Sequence, residues 1–60
     1  MKYLDMYTAN GGTAFLGKVS DTCYKVGIET ETLKVTSGYS TYEEAKEAFK
    51  YYKDAIDKLW

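Results

Sequence analysis

The hydrophobic pattern of this chain changes period at Tyr39. Before it, apolar and polar residues alternate between turn signals. Beyond it, in YSTYEEAKEAFKYYKDAIDKLW, Ala45, Ala48, Phe49, Tyr52, Ala55, Ile56 and Leu59 recur at spacings of three and four. The first pattern belongs to strands and the second to one stripe of an α-helix. Thr41 followed by Glu44 predicts the helix start as a capping box, with the Thr hydroxyl accepting a first-turn backbone N–H and the Glu reaching back to the cap's own N–H. Glu43 and Glu44 also sit where the helix dipole favours negative charge. Charged residues fill the other side of the helix, with Asp54 and Lys58 four apart in the favourable order. A striped helix of this length is marginal alone, so residues 1–38 must supply the surface that it covers.

Sixty residues make one domain, here a single βββ(β)α unit spanning residues 1–60. A chain of this size buries only about 60% of the surface its unfolded form exposes, and one such core leaves about 3–5 kcal/mol of stability. No staple supplements it, because Cys23 has no partner for an internal disulfide and the chain has no His to complete a zinc set. These features fit a reducing compartment, and a cytoplasmic location is expected. MKYLDMYTANGG lacks the apolar core and small-residue cleavage pattern of a secretory leader, and no stretch approaches the length of a membrane span.

Asn10–Gly11 is the strongest turn signal, predicting a type I′ hairpin between strands at about Lys2–Ala9 and Thr13–Ser20. With Ala9 opposite Gly12, Leu4 and Met6 share a face with Phe15 and Val19, while Tyr3, Asp5 and Tyr7 share the other with Ala14, Leu16 and Lys18. The first set is the more apolar and is expected to form the core. A turn at Ser20, Asp21 and Thr22 leads into CYKVGIE, where Tyr24, Val26 and Ile28 alternate to define a buried face. Leu33 and Val35 follow at odd spacing from Ile28, which requires a turn or bulge near Thr30–Thr32. The expected fold is α+β, with a three- or four-stranded antiparallel sheet followed by one C-terminal helix packed on one face.

Signals for catalysis are sparse. Gly12, Gly17 and Lys18 spell GxxxxGK, but Val19 replaces the magnesium-binding Ser or Thr, the interior TAFL reads as strand, and no helix follows. Without His, acid–base chemistry would fall to carboxylates, Lys or Tyr held beside a specific partner, and the acidic residues are spread over turns, strand edges and the helix surface. Cys23 has no neighbouring base or helix start to activate its thiol. Soft metal clusters and calcium-loop spacings are missing. The expectation is a chain that is not an enzyme and uses no cofactor and no metal.

The stretch Tyr39 to Phe49, with Tyr39, Thr41, Glu43, Ala45, Ala48 and Phe49 at its marked places, resembles the sheet-to-helix junction of AP2-type DNA-binding domains and integrase arm-binding modules. The ThrxGluGluAla junction, the MKY start and the GlyGly turn are also similar to HicB-type antitoxins. The AP2-like resemblance implies a sheet face that enters the major groove, with Lys18 and Lys25 as alternative nucleic-acid contacts. Against this stands the composition: eight lysines, no arginine and a formal net charge of −1. Arginine is the preferred bidentate partner of guanine and phosphate, and without a basic face the counterion-release contribution to binding is small.

Aromatic content points elsewhere. Seven Tyr, two Phe and one Trp exceed what one thin core can bury, so several rings must reach solvent. Tyrosine and tryptophan anchor protein interfaces because they offer large area at low entropic cost. In the hairpin register above, Tyr3, Tyr7 and Leu16 form an outward patch, and Tyr51 with Trp60 flanks the helix stripe. The chain is therefore read as a protein-interaction module, by analogy of size a regulator or inhibitor such as accompanies mobile elements. Its expected partner is another protein or a second copy, ahead of nucleic acid and with no membrane.

Overall fold

The computed structural model describes residues 1–59. Four strands, β1 (Lys2–Ala9), β2 (Gly12–Ser20), β3 (Cys23–Glu29) and β4 (Lys34–Tyr39), precede one helix, α1 (Tyr42–Asp57). They form an open antiparallel meander in the order β1-β2-β3-β4. Among the described residues no helix is long and apolar enough to cross a membrane.

The local signals act where they were expected. Asn10 and Gly11 both take positive φ, 53° and 80°, as a type I′ turn requires. At the β3–β4 connection the Thr30 N–H donates to the Leu33 carbonyl at 2.7 Å, and the Thr30 hydroxyl accepts from the Leu33 N–H at 3.1 Å. That turn makes β4 a separate strand and resolves the odd spacing between Ile28 and Leu33. Thr41 caps α1 from an extended conformation, its hydroxyl accepting from the Glu44 N–H at 3.2 Å. The Glu44 carboxylate does not close the expected box on the backbone; it accepts from the hydroxyls of Thr41 and Ser40.

The core lies on the other side of the hairpin from the one expected. Ala14, Leu16, Val26 and Ile28 face Ala45, Phe49 and Ile56 of the helix, all buried, while Leu4, Met6 and Val19 are exposed. The reason lies in the neighbouring strand. β2 pairs with β3 so that Ala14 meets Ile28 and Leu16 meets Val26, and the unambiguous apolar face of β3 therefore decides the side on which β2 is covered. Small Ala14 and Ala45, both fully buried, let the helix approach closely. Each fully buried large side chain, such as Ile56 or Val26, contributes about 1.5–3 kcal/mol. The Lys53 ammonium lies over the Phe49 ring, 4.9 Å from its centre, as a cation–π contact. Among the described residues Asp54 and Lys58 form no ion pair; Lys58 instead ends the helix, its N–H shared between the Asp54 and Ala55 carbonyls.

The C-terminal end of α1 is tied to the first hairpin. The Asn10 side-chain amide donates to the Ile56 carbonyl at 3.1 Å, satisfying a helix-end acceptor from across the chain. The Tyr7 hydroxyl donates to the Asp57 carboxylate. Losing that carboxylate contact on ionisation is unfavourable, so the bond from Tyr7 to Asp57, reinforced by desolvation and by the Asp57 charge, raises the Tyr7 pKa above its ordinary value.

Candidate interaction surface

Among the described residues one face of the sheet carries no helix, and its side chains follow from register. Met6 pairs with Phe15, which pairs with Gly27, which pairs with Thr36. The next row outward joins Tyr3, Gly17, Lys25 and Gly38, and the row on the other side joins Thr8, Thr13, Glu29 and Lys34. The Phe15 ring lies over Gly27, where a Cβ would overlap it. Met1 lies over Gly17 in the same way. The two glycines thus let large side chains rest directly on the backbone of the central strands. Tyr3 and Phe15 meet edge to face, with centroids 5.7 Å apart and planes at 83°.

The result is an apolar platform in which Met1, Tyr3 and Met6 remain 58%, 55% and 57% exposed around the half-buried Phe15. Its charged margin is Lys25 and the pair Lys34 and Glu29, whose charged atoms are 4.0 Å apart. A platform of this kind has the apolar centre and polar rim of a protein-binding patch.

The three residues singled out from sequence do not come together. Leu16 is 2% exposed beneath the helix and is a core residue. Tyr7 is half-buried on the same side, bonded to Asp57. Tyr3 alone reaches the open face. A register shift between Tyr3 and Asp5 separates it from Tyr7, because Leu4 bulges out of the ladder and reverses the side on which the preceding residues project. Lys18 and Lys25 are also divided. Lys25 belongs to the open face, whereas Lys18 pairs with Tyr24 on the helix side, and its ammonium meets Asp21 at 3.1 Å. That ion pair raises the Lys18 pKa. Tyr51 is the most exposed ring on the helix, and Trp60 lies outside the described residues.

Phe15 and Met6 were assigned to the core by sequence. The β2–β3 pairing would have identified them as surface, since a Val26–Leu16 pair forces Phe15 to the opposite side. The GxxxxGK run lies within β2, with Gly12 and Gly17 paired in the ladder rather than in a phosphate-cradling loop. Cys23 is a half-buried free thiol at the start of β3.

These features define a two-layer α+β domain with a helix-covered face and an open apolar face. Comparison with family models, curated proteins and solved structures finds no match to the chain.

Proposed function

We propose that the chain is a small protein-binding module whose contact surface is the helix-free face of the sheet, centred on Tyr3, Met6 and Phe15. The observation that carries this reading is the Phe15 ring laid over Gly27 and packed edge to face with Tyr3, on a face that no described element of the fold covers. Rigid aromatic groups supported from below lose little entropy when a partner covers them. Lys25, Lys34 and Glu29 at the margin supply charges of both signs that favour a polypeptide partner over a polyanion. A module of this kind acts by occupying a surface of its target, the manner of a small regulator or inhibitor.

The test uses a photo-crosslinking side chain at Met6 to capture and identify the partner, followed by binding measurements with the purified partner. Tyr3→Ser with Met6→Ser should weaken binding at least about tenfold while circular dichroism stays native, as both side chains are exposed. Binding that is unchanged in this variant, with Lys46→Glu on the helix as the comparison, overturns the assignment of the face. Salt-sensitive retention of duplex DNA by the wild type, lost on Lys25→Glu, would instead identify a nucleic-acid surface.

A further inference from the structure

The two edges of the sheet are unequal. In β1, Ala9 and Gly12 close a two-residue turn and form a hydrogen-bonded pair, so by alternation Tyr7 and Asp5 bond to β2 while Met6 and Thr8 turn their backbone groups toward the free edge. The outward Met6 N–H is already engaged, donating to the Asp5 carboxylate at 2.9 Å, and the bulge at Leu4 breaks the line of the strand a short distance on. Side-chain capping and a bulge both blunt an edge against further pairing.

β4 has neither device. The Thr30 N–H to Leu33 carbonyl bond makes Thr30 and Leu33 a hydrogen-bonded pair, so Val35, Ser37 and Tyr39 bond toward β3 and Lys34, Thr36 and Gly38 face outward. The β3–β4 register runs without a shift from Tyr39 to Lys34. Among the described residues no side chain hydrogen-bonds to the outward backbone groups of Lys34, Thr36 or Gly38. Beside this edge Leu33 and Val35 remain 50% and 37% exposed, because the helix runs chiefly over β2 and β3.

We infer that β4 pairs antiparallel with β4 of a second copy of this chain, about a two-fold axis through Thr36. The outward groups are self-complementary in that register. Thr36 pairs with Thr36 of the copy and Lys34 with Gly38 of the copy, so every outward N–H and C=O of the strand finds a partner. A shift by two residues in either direction leaves one outward residue unpaired. On the helix side Val35 meets Ser37 of the copy, and exposed Leu33 meets Tyr39 of the copy. No like charges are opposed, since each Lys34 faces a glycine and keeps Glu29 beside it. A two-fold axis perpendicular to the sheet places both helices on one side and joins the two open faces into one continuous surface. The contact rests on the sheet edge and is independent of what the open face binds.

An edge of six residues falls below the size of a stable interface, which needs about 1,200 Å², so the pairing is dynamic, with a dissociation constant on the order of 100 μM. Sedimentation velocity from about 10 μM to about 1 mM should show monomer passing to dimer. Over the same range, amide hydrogen exchange should slow at Lys34, Thr36 and Gly38 but not at Met6 or Thr8. Thr36→Pro removes the outward donor at the axis without touching a β3 bond and should weaken association at least about tenfold. Thr36→Lys, which sets two ammonium groups side by side, should do the same and serves if the proline variant fails to fold. Tyr3→Ser with Met6→Ser should leave association unchanged, which separates the edge from the open face. A mass that stays monomeric at the highest concentration overturns the proposal. So does a dimer that survives in a folded Thr36 variant, or protection that appears on β1 instead.

Discussion

Replacing Gly27 by Ala tests the platform at its support. A Cβ at this position would come within 2.5 Å of Cζ of Phe15, overlap Cε2, and stand 3.0 Å from the Val35 carbonyl oxygen. Carbon atoms rest at about 3.5–4.0 Å, so the ring must lift by about 1 Å or swing off the sheet. Overpacking of this kind costs about 1–3 kcal/mol, and lifting the ring also loosens its edge contact with Tyr3. Against this, alanine is favoured over glycine inside a regular element by about 0.5–1 kcal/mol. The net loss is about 0–2.5 kcal/mol from a total of about 3–5. Urea melts followed by circular dichroism should show the midpoint falling by up to about 2.5 M, given a slope of about 1 kcal/mol/M for a chain this small. The decisive measurement is the double-mutant cycle with Phe15→Ala. Once the ring is gone, Gly27→Ala should be neutral or mildly stabilising, giving a coupling of about 1–3 kcal/mol. A coupling below about 0.5 kcal/mol would mean that Phe15 does not rest on Gly27, and the proposed contact surface would lose its centre.

Asn10→Asp keeps a sequence suited to a type I′ turn but removes the amide that donates to the Ile56 carbonyl and sets a carboxylate against the helix C-terminus and Asp57. It should cost about 1–2 kcal/mol at pH 7 in a urea melt, and the deficit should shrink as pH falls below about 4, where the protonated carboxyl can donate. For Tyr7 the sign runs toward alkali. Its folded pKa is raised, so its bond to Asp57 stabilises the fold fully below the unfolded value near 10, and that contribution is lost as pH climbs through the folded value. The melting temperatures of wild type and Tyr7→Phe should therefore converge above pH 10, and a constant gap across that range would contradict the bond. Ile56→Ala, at a fully buried core position, should cost about 2–5 kcal/mol, a large part of the total stability, while Tyr51→Ala on the exposed helix surface should shift the melt by less than about 0.5 kcal/mol.

The elements that sequence predicted well are those whose cause is local. Asn10–Gly11 closes its hairpin through backbone conformation alone, and Thr41 caps the helix that follows it. Strand limits, the four-strand option and the helix stripe as far as Ile56 followed, while Leu59, expected in the stripe, lies past the helix and is 48% exposed. The side of the hairpin that is buried was misjudged because Leu4, Met6, Phe15 and Val19 look more apolar than Tyr7, Ala14 and Leu16 when the hairpin is taken alone. Pairing with β3 reverses that ranking, and the information sits in contacts between residues ten and fourteen apart in sequence, Leu16 with Val26 and Ala14 with Ile28. The bulge at Leu4 has no signature in a strand-forming run, yet it decides that Tyr3 and Tyr7 point apart. The candidate surface was therefore legible in kind, an open sheet face with tyrosine, but only Tyr3 of its expected members belongs to it.

Asn10 links two events that would otherwise be separate in time. The hairpin turn around it is local and closes in about 1–10 μs, well before distant segments must meet. Its amide then waits for a carbonyl at Ile56, near the other end of the chain. Fraying of the last helical turn and opening of the first hairpin thus share one bond, reinforced by Tyr7 and Asp57 at the next residue of the same helical turn. Hydrogen exchange should report the two ends as a single cooperative unit, with the amide of Leu59 exchanging at the rate set by the turn at residue 10 rather than by helix-end fraying alone.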